Sequence, residues 1–276
     1  MSGTLYVVAT PLGNLEDITL RAIRILKSVS LIACEDTRHT AVLLRAHGVT
    51  TPTTSYFEHN ERWKGEKILE ALRAGRDVAL VSDAGTPGVS DPGYRLVRDA
   101  RAAAIPVIPV PGPSAAIAAL SVSGLPTDRF LFVGFLPAKG AARKRALADL
   151  ATSRETLVFY ESPVRVVASL TDMAEALGNR EAFLCREATK LHEEYRRSSL
   201  TELRDNLTAR SAVKGEFVII VSGASDMPRQ SESESVESHF SRLTAEGKTR
   251  REAVKEIARI LGLPAREVYR RVLESS

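Results

Sequence analysis

Along most of the chain, short apolar runs alternate with stretches whose apolar residues recur three and four positions apart, the pattern of strands alternating with amphipathic helices. Residues 5–9 (LYVVA) read as a first strand, followed by the loop Thr10-Pro11-Leu12-Gly13-Asn14 and a helix with Ile18, Ala22, Ile25 and Leu26 on one face. A second strand, residues 31–34, runs into Glu35-Asp36-Thr37-Arg38. A helix is predicted over 62–73, stopped by Gly75, and strands over 78–81 and 107–110, each leading into a helix. After a turn-rich boundary at 123–127 the strand–helix alternation repeats. It places strands at 130–135, 156–160, 182–185 and 216–221, with helices over 143–150, through Val166, Leu170, Met173 and Leu177, and near 200–207. Two consecutive α/β units are therefore expected, residues 1–122 and 123–225.

The most informative stretch is 78–93, VALVSDAGTPGVSDPG. A buried strand is followed by small and turn-forming residues, and Asp91-Pro92 reads as the N-cap and first position of a helix. Strand, small-residue loop, helix is how open α/β sheets place ligands beyond the carboxyl ends of their strands. Gly85 and Gly88 allow close backbone approach, and Asp83 can accept hydrogen bonds. One such loop could be an ordinary connection. The loops at 10–14 and 111–116, the second opening a helix at Ser114-Ala115, make three in one half of the chain, and a ligand site is expected there. The first loop is not G-x-G-x-x-G, so nothing supports a nicotinamide or flavin site. Glu35, Asp36 and Arg38 at a strand end, and His59 in YFEHNE, are further candidates, against the plainer reading of a solvated loop with Asp36 as helix cap.

The character changes after residue 225. Residues 226–235 (DMPRQSESES) have linker composition. Residues 236–276 carry apolar positions at helical spacing and more Lys and Arg than Glu, punctuated into three short helices by Gly247-Lys248-Thr249 and Gly262-Leu263-Pro264. The last two helices resemble a helix-turn-helix, which could hold nucleic-acid phosphates through Lys248, Arg250 and Arg251. A small helical cap with a solvated charged face fits the same pattern. In bulk, 276 residues with 44% hydrophobic and 26% charged positions make an ordinary globular composition, and the net charge of +4 permits nucleic-acid binding without requiring it. The apolar runs are too short for a membrane span, and no N-terminal targeting pattern is read. Two cysteines, Cys34 and Cys185, give neither a disulfide framework nor metal-ligand spacing, so no metal and a cytoplasmic location are expected.

VATPLGNLEDITLRA, CEDTR, HNE, VALVSDAGTPGVSDPG, PVPGPSA, FVGFLP, TLVFYESP and KGEFVIIV occur in this order between about residues 4 and 223. Together they resemble the ribosomal RNA small subunit methyltransferase I family, S-adenosylmethionine-dependent enzymes that methylate the ribose 2′-oxygen of a cytidine in 16S ribosomal RNA. The wider group is the tetrapyrrole methylase superfamily. The resemblance implies a two-domain, class III methyltransferase α/β fold with the cofactor between the domains, here with a small C-terminal helix-turn-helix-like domain. It also implies a homodimer acting on the small ribosomal subunit. Carried over position by position, it implies cofactor contacts at Leu12, Asp83, Thr86, Ser114 and Ala115, at Tyr160 or Glu161, and near Ala188, beside Gly85 of the central loop. Glu35 matches an acidic base position, with Asp36 and His59 as alternatives, since a ribose hydroxyl needs a proton acceptor. Arg38 and the cluster Lys139, Arg143, Lys144 and Arg145 are expected to hold RNA phosphates. The first loop departs from the glycine-rich G-x-G-x-G-D of the tetrapyrrole enzymes, which favours the ribosomal RNA branch. A tetrapyrrole methyltransferase and a non-catalytic nucleic-acid-binding regulator are the rival readings.

Overall fold

The structure, a computed structural model, describes residues 2–224, 236–261 and 263–274; the expected linker 226–235 and Gly262 lie outside the described residues. Residues 1–224 form one compact unit and 225–276 a second.

The first half of the large unit is a parallel sheet of β1 (Leu5–Val8), β2 (Leu31–Cys34), β3 (Thr53–Ser55), β4 (Val78–Leu80) and β5 (Val107–Val110), in the order β3-β2-β4-β1-β5. Parallel strands need crossover helices, which cover both faces and make the strands apolar throughout. Helices α1 (Leu20–Ser28) and α2 (Thr37–Ala46) bury Ala22, Ile25, Leu26, Leu43 and Leu44 against one face. Helices α3 (Glu61–Arg73) and α4 (Tyr94–Ala102) bury Ile68, Leu69, Leu72, Leu96 and Ala100 against the other.

The second half holds β6 (Phe130–Phe135), β7 (Thr156–Glu161), β8 (Glu181–Arg186), β9 (Glu194–Ser199) and β10 (Phe217–Val221), ordered β6-β7-β10-β8-β9. Here the simple alternation does not carry over. Only the β6–β7 pair is parallel among these strands; β10 runs antiparallel to β7 and β8, and β9 forms a hairpin with β8. Helices α6 (Gly140–Asp149), α7 (Val166–Leu177) and α8 (Leu200–Thr208) cover one face. The other face is covered by α5 (Ala115–Val122), whose Ala116, Ala119 and Leu120 pack on Val158, Val218 and Ile220. The chain thus changes sheet before α5, at residues 111–114, earlier than the turn at 123–127 implies.

Two local expectations are corrected. Asp91 is not a helix cap: α4 starts at Tyr94 after Gly93, whose φ is +139° and where a Cβ would stand 2.9 Å from Leu80 Cδ2. Asp91 is left in the connecting turn. Two strands also have no counterpart in the sequence reading, β3 and β9, and α2 is anticipated only through Asp36 as a helix cap.

The smaller unit contains α9 (Val236–Ala245), α10 (Arg250–Leu261) and α11 (Ala265–Glu274), around Leu243, Ala253, Ile257, Val268 and Val272.

Candidate functional site

The carboxyl ends of β4, β1 and β5, three neighbours in the first sheet, carry the loops that sequence reading singles out. They are bound to one another. Thr10 and Gly85 exchange backbone hydrogen bonds, Thr10 N to Gly85 O at 2.8 Å and Gly85 N to Thr10 O at 3.0 Å. Thr10 Oγ1 donates to Ser82 O at 3.0 Å, and Thr86 Oγ1 to Pro113 O at 3.2 Å. Gly85 adopts φ +79°, and a Cβ there would lie 3.4 Å from Leu12 Cδ2. A fixed, side-chain-poor rim results.

Facing that rim is the edge of the second sheet where β6, β7 and β8 end and β10 begins. Tyr160 fixes the start of α5, the helix that follows the third rim loop: its hydroxyl accepts from Ala116 N at 3.2 Å. Between rim and edge lies a cleft of about 440 Å³, a size suited to a nucleoside-like ligand. All nine residues expected at the cofactor line it: Leu12, Asp83, Gly85, Thr86, Ser114, Ala115, Tyr160, Glu161 and Ala188. The Glu161 carboxylate is engaged by side chains of α7 and the turn before it, accepting from Ser169 Oγ at 2.6 Å and pairing with Arg165 at 2.7 Å.

Sequence reasoning missed Asp91, Phe135, Lys190 and Glu216, which also line the cleft. Asp91 is pushed up to about 6, chiefly by burial, partly offset by a Ser82 hydrogen bond and reinforced by the charges of Glu35, Asp83 and Glu216. The misplaced helix start hid it. Lys190 donates to Glu187 at 2.9 Å and to Glu216 at 3.1 Å; burial opposes its charge, but these partners hold its pKa above the usual value. The loop that carries it holds Glu187 and Thr189 at φ +52° and +64°, either side of Ala188. Non-glycine residues in this region store strain of the kind concentrated at ligand sites. A Cβ on Gly13 would overlap the Lys190 stem, which explains a glycine there.

The expected catalytic residues are dispersed along the same sheet edge. Glu35, half-buried, does not line the cleft; burial, then Asp83 and Asp36, raise its pKa. Its neighbour Asp36 donates its backbone N–H to Asp83 Oδ1 at 3.1 Å, tying this loop to the rim. The Asp36 side chain caps α2, accepting from Arg38 N at 2.8 Å, and it also binds the Arg38 guanidinium at 2.7 Å. That engagement holds Asp36 well below the usual carboxylate range and fits the plainer reading of this residue. His59 is exposed in the loop beyond the edge strand β3, outside the cleft lining, against Phe57 at 6.4 Å.

Of the expected phosphate contacts, Arg143 is withdrawn: it is 8% exposed, and its Nε donates to Asp172 at 2.6 Å inside the second half. Lys144 pairs with Glu175 at 2.7 Å, whereas Lys139, Arg145 and Arg38 are exposed. In the small unit Lys248 pairs with Glu256, Arg250 lies 5.8 Å from the Phe240 ring, and Arg251 is exposed. No cluster of metal-binding side chains occurs among the described residues. Among them, too, no helix is long and apolar enough to cross a membrane.

Comparison with known proteins adds the following. Residues 4–204 match the family model described as tetrapyrrole (corrin/porphyrin) methylases. A protein of Halalkalibacterium halodurans named ribosomal RNA small subunit methyltransferase I is 46% identical over 97% of this chain and 93% of its own. Proteins of the same name from Synechocystis and Pseudomonas aeruginosa are 46% identical over 99% and 98%, and 51% identical over 80% and 79%, of the two chains respectively. Among solved structures, the methyltransferase CobJ is similar with a TM-score of 0.62 at 21% identity, covering 81% of this chain and 95% of its own. The uroporphyrin-III C-methyl transferase of Thermus thermophilus in complex with S-adenyl homocysteine gives 0.56 at 24%, covering 79% and 97%.

Proposed function

The chain belongs to the tetrapyrrole methylase family, in its ribosomal RNA small subunit methyltransferase I branch, and we propose that it methylates the ribose 2′-hydroxyl of a cytidine in 16S ribosomal RNA. The observation that carries this reading is the near-full-length identity to proteins of that name. The cleft supports the cofactor half of it. Asp83, Asp91 and Glu216 give the lining an excess of carboxylates over its lysine, Lys190, which suits a ligand bearing a sulfonium and an ammonium group. Leu12, Val89, Phe135 and Val218 give apolar walls for a nucleobase, and the loops before α5 and after β4 offer backbone groups and Asp83 to its sugar. S-adenosylmethionine supplies, when bound, an electrophilic methyl group ready for displacement.

The residues of this chain hold the attacking oxygen in place and accept its proton as the new bond to carbon forms. Two carboxylates are suited to that task. Asp91 is in the wall of the cleft, and its pKa near 6 leaves it ionised but basic at neutral pH. Glu35 stands outside the lining and raises Asp91 by its charge. Exposed Arg38, Lys139 and Arg145, with Arg250 and Arg251 of the small unit, are the candidates for the RNA backbone. The reading includes a cytoplasmic homodimer; the buried free thiols Cys34 and Cys185 fit a reducing compartment, and the exposed Leu20, Val164 and Leu191 fit a partner surface.

The test is transfer of labelled methyl from S-adenosylmethionine to small ribosomal subunits, with tetrapyrrole precursors run in parallel. Label recovered in an alkali-resistant dinucleotide is the expected outcome. Label on the tetrapyrrole would move the chain to the sister activity.

A further inference from the structure

The chain has a single tryptophan, and neither the cores nor the cleft use it. Trp63 lies in the first turn of α3 and is 53% exposed. Two ammonium groups stand at its ring, Lys64 Nζ at 4.9 Å and Lys67 Nζ at 5.1 Å from the centroid. Lys64 is fixed there by donating to Thr54 Oγ1 at 2.8 Å, while Arg62 and Lys67 are exposed with no acidic partner among the described residues. Both acids of these two turns are engaged elsewhere. Glu61 accepts from Gly93 N at 3.1 Å and pairs with Arg95 at 3.5 Å, and Glu66 pairs with Arg73 at 2.8 Å. What faces solvent is an indole with cations around it.

The position of this group relates it to the cleft. Glu61, two residues before Trp63, is bonded to Gly93, two residues after the cleft residue Asp91. Along the carboxyl edge of the first sheet the loops follow strand order: those of β5, β1 and β4 form the cleft rim, then comes the β2 loop with Arg38, then the β3 loop that leads into α3. An aromatic plane combined with cations is the chemistry that holds unpaired nucleobases, the plane by stacking and the cations by neutralising adjoining phosphates.

We propose that Trp63 is a stacking platform for an unpaired RNA base near the target nucleotide, with Arg62, Lys64 and Lys67 holding the adjoining phosphates. This rests on the RNA reading above. A second copy of the chain could also cover an exposed indole, but a chain of net charge +4 is a poor partner for a surface already bearing three cations, and a polyanion is a good one.

Because the tryptophan is unique, its emission reports on this site alone. The full-length protein is titrated with an end-labelled, single-stranded, cytidine-containing oligoribonucleotide, reading indole emission and probe anisotropy together. Quenching that tracks the anisotropy is expected. Trp63→Ala is expected to weaken binding of 16S ribosomal RNA about tenfold, the low-to-middle range for loss of one stacked base. It raises KM for RNA and leaves kcat, cofactor affinity and Tm unchanged, and Trp63→Phe recovers most of the loss. Anisotropy that rises without quenching, or wild-type RNA affinity in Trp63→Ala, overturns the platform while leaving the methyltransferase reading intact. A change of sedimentation in Trp63→Ala with RNA affinity unchanged assigns the surface to a second copy and equally overturns it. If the wild-type protein neither binds nor methylates RNA, the underlying reading falls and the platform with it.

Discussion

At the scale of single residues, Asp91 joins chemistry to stability. A carboxyl whose pKa is raised on folding contributes most while protonated, and that contribution is lost as pH rises through the folded value, here about 6. The free protein is therefore expected to lose stability between the unfolded carboxyl range and pH 6. Asp91→Asn should raise Tm at pH 8 and leave it nearly unchanged at pH 4, which a pair of melting curves checks. If Asp91 is the proton acceptor, the same variant loses roughly a hundredfold or more in turnover, and the rising limb of the pH–rate profile near 6 disappears. Glu35→Gln then keeps that limb and shifts it downward, because one of the charges that raises Asp91 is gone. A hundredfold loss in Glu35→Gln with an unshifted limb would instead return the role to Glu35. The sequence made the cleft's loops legible through their glycines, prolines and Asp83. It hid Asp91 because Asp-Pro is a standard helix start, and only the +139° backbone of Gly93 delays the helix past it.

At the scale of elements, legibility followed hydrophobic periodicity. Strand β5 and helix α7 fall where their apolar positions place them. The edge strand β9 (EYRRSS) has no such pattern, since one side of an edge hairpin can remain polar, and it escaped. Helix α6 is the other instructive case. Its basic sequence reads as an exposed phosphate-binding face, yet Arg143 points inward to Asp172 on α7, both nearly buried. Removing one member of a buried pair strands the other charge and destabilises by about 3–5 kcal/mol. Lys144, 3.5 Å from Asp172, places Arg143→Met toward the lower end of that range. The expected result is a clear fall in chemical-denaturation midpoint with unchanged RNA affinity in the folded fraction. Asp172→Leu added to Arg143→Met should recover most of the loss, because apolar packing replaces the pair. Arg145→Ala, on the exposed side of the helix, should do the reverse and weaken RNA binding while leaving the midpoint alone.

At the scale of the molecule, the cleft proposed for the cofactor lies wholly within residues 1–224, while the three C-terminal helices form a compact unit with their own core. On the proposed reading, removing the C-terminal helices leaves cofactor binding in place and takes away part of the RNA contact. Their signatures differ physically. A small ligand held in a preformed cleft depends weakly on salt, whereas each phosphate contact releases counterions and steepens the fall of log K with log salt. Within the small unit Lys248 is paired with Glu256, but Arg250 and Arg251 present their charge outward. A chain ending at Ala224 should bind S-adenosylmethionine as the full chain does, measured by calorimetry. Its affinity for 16S ribosomal RNA should fall, and the salt slope should become shallower by about one or two units, the equivalent of losing the contacts of two arginines. Arg250→Gln combined with Arg251→Gln in the full chain should reproduce that shallower slope without deletion. An unchanged slope in both proteins would mean that the C-terminal helices are a cap with a solvated charged face. The RNA would then be held entirely by the large unit, along the sheet edge from the cleft to Trp63.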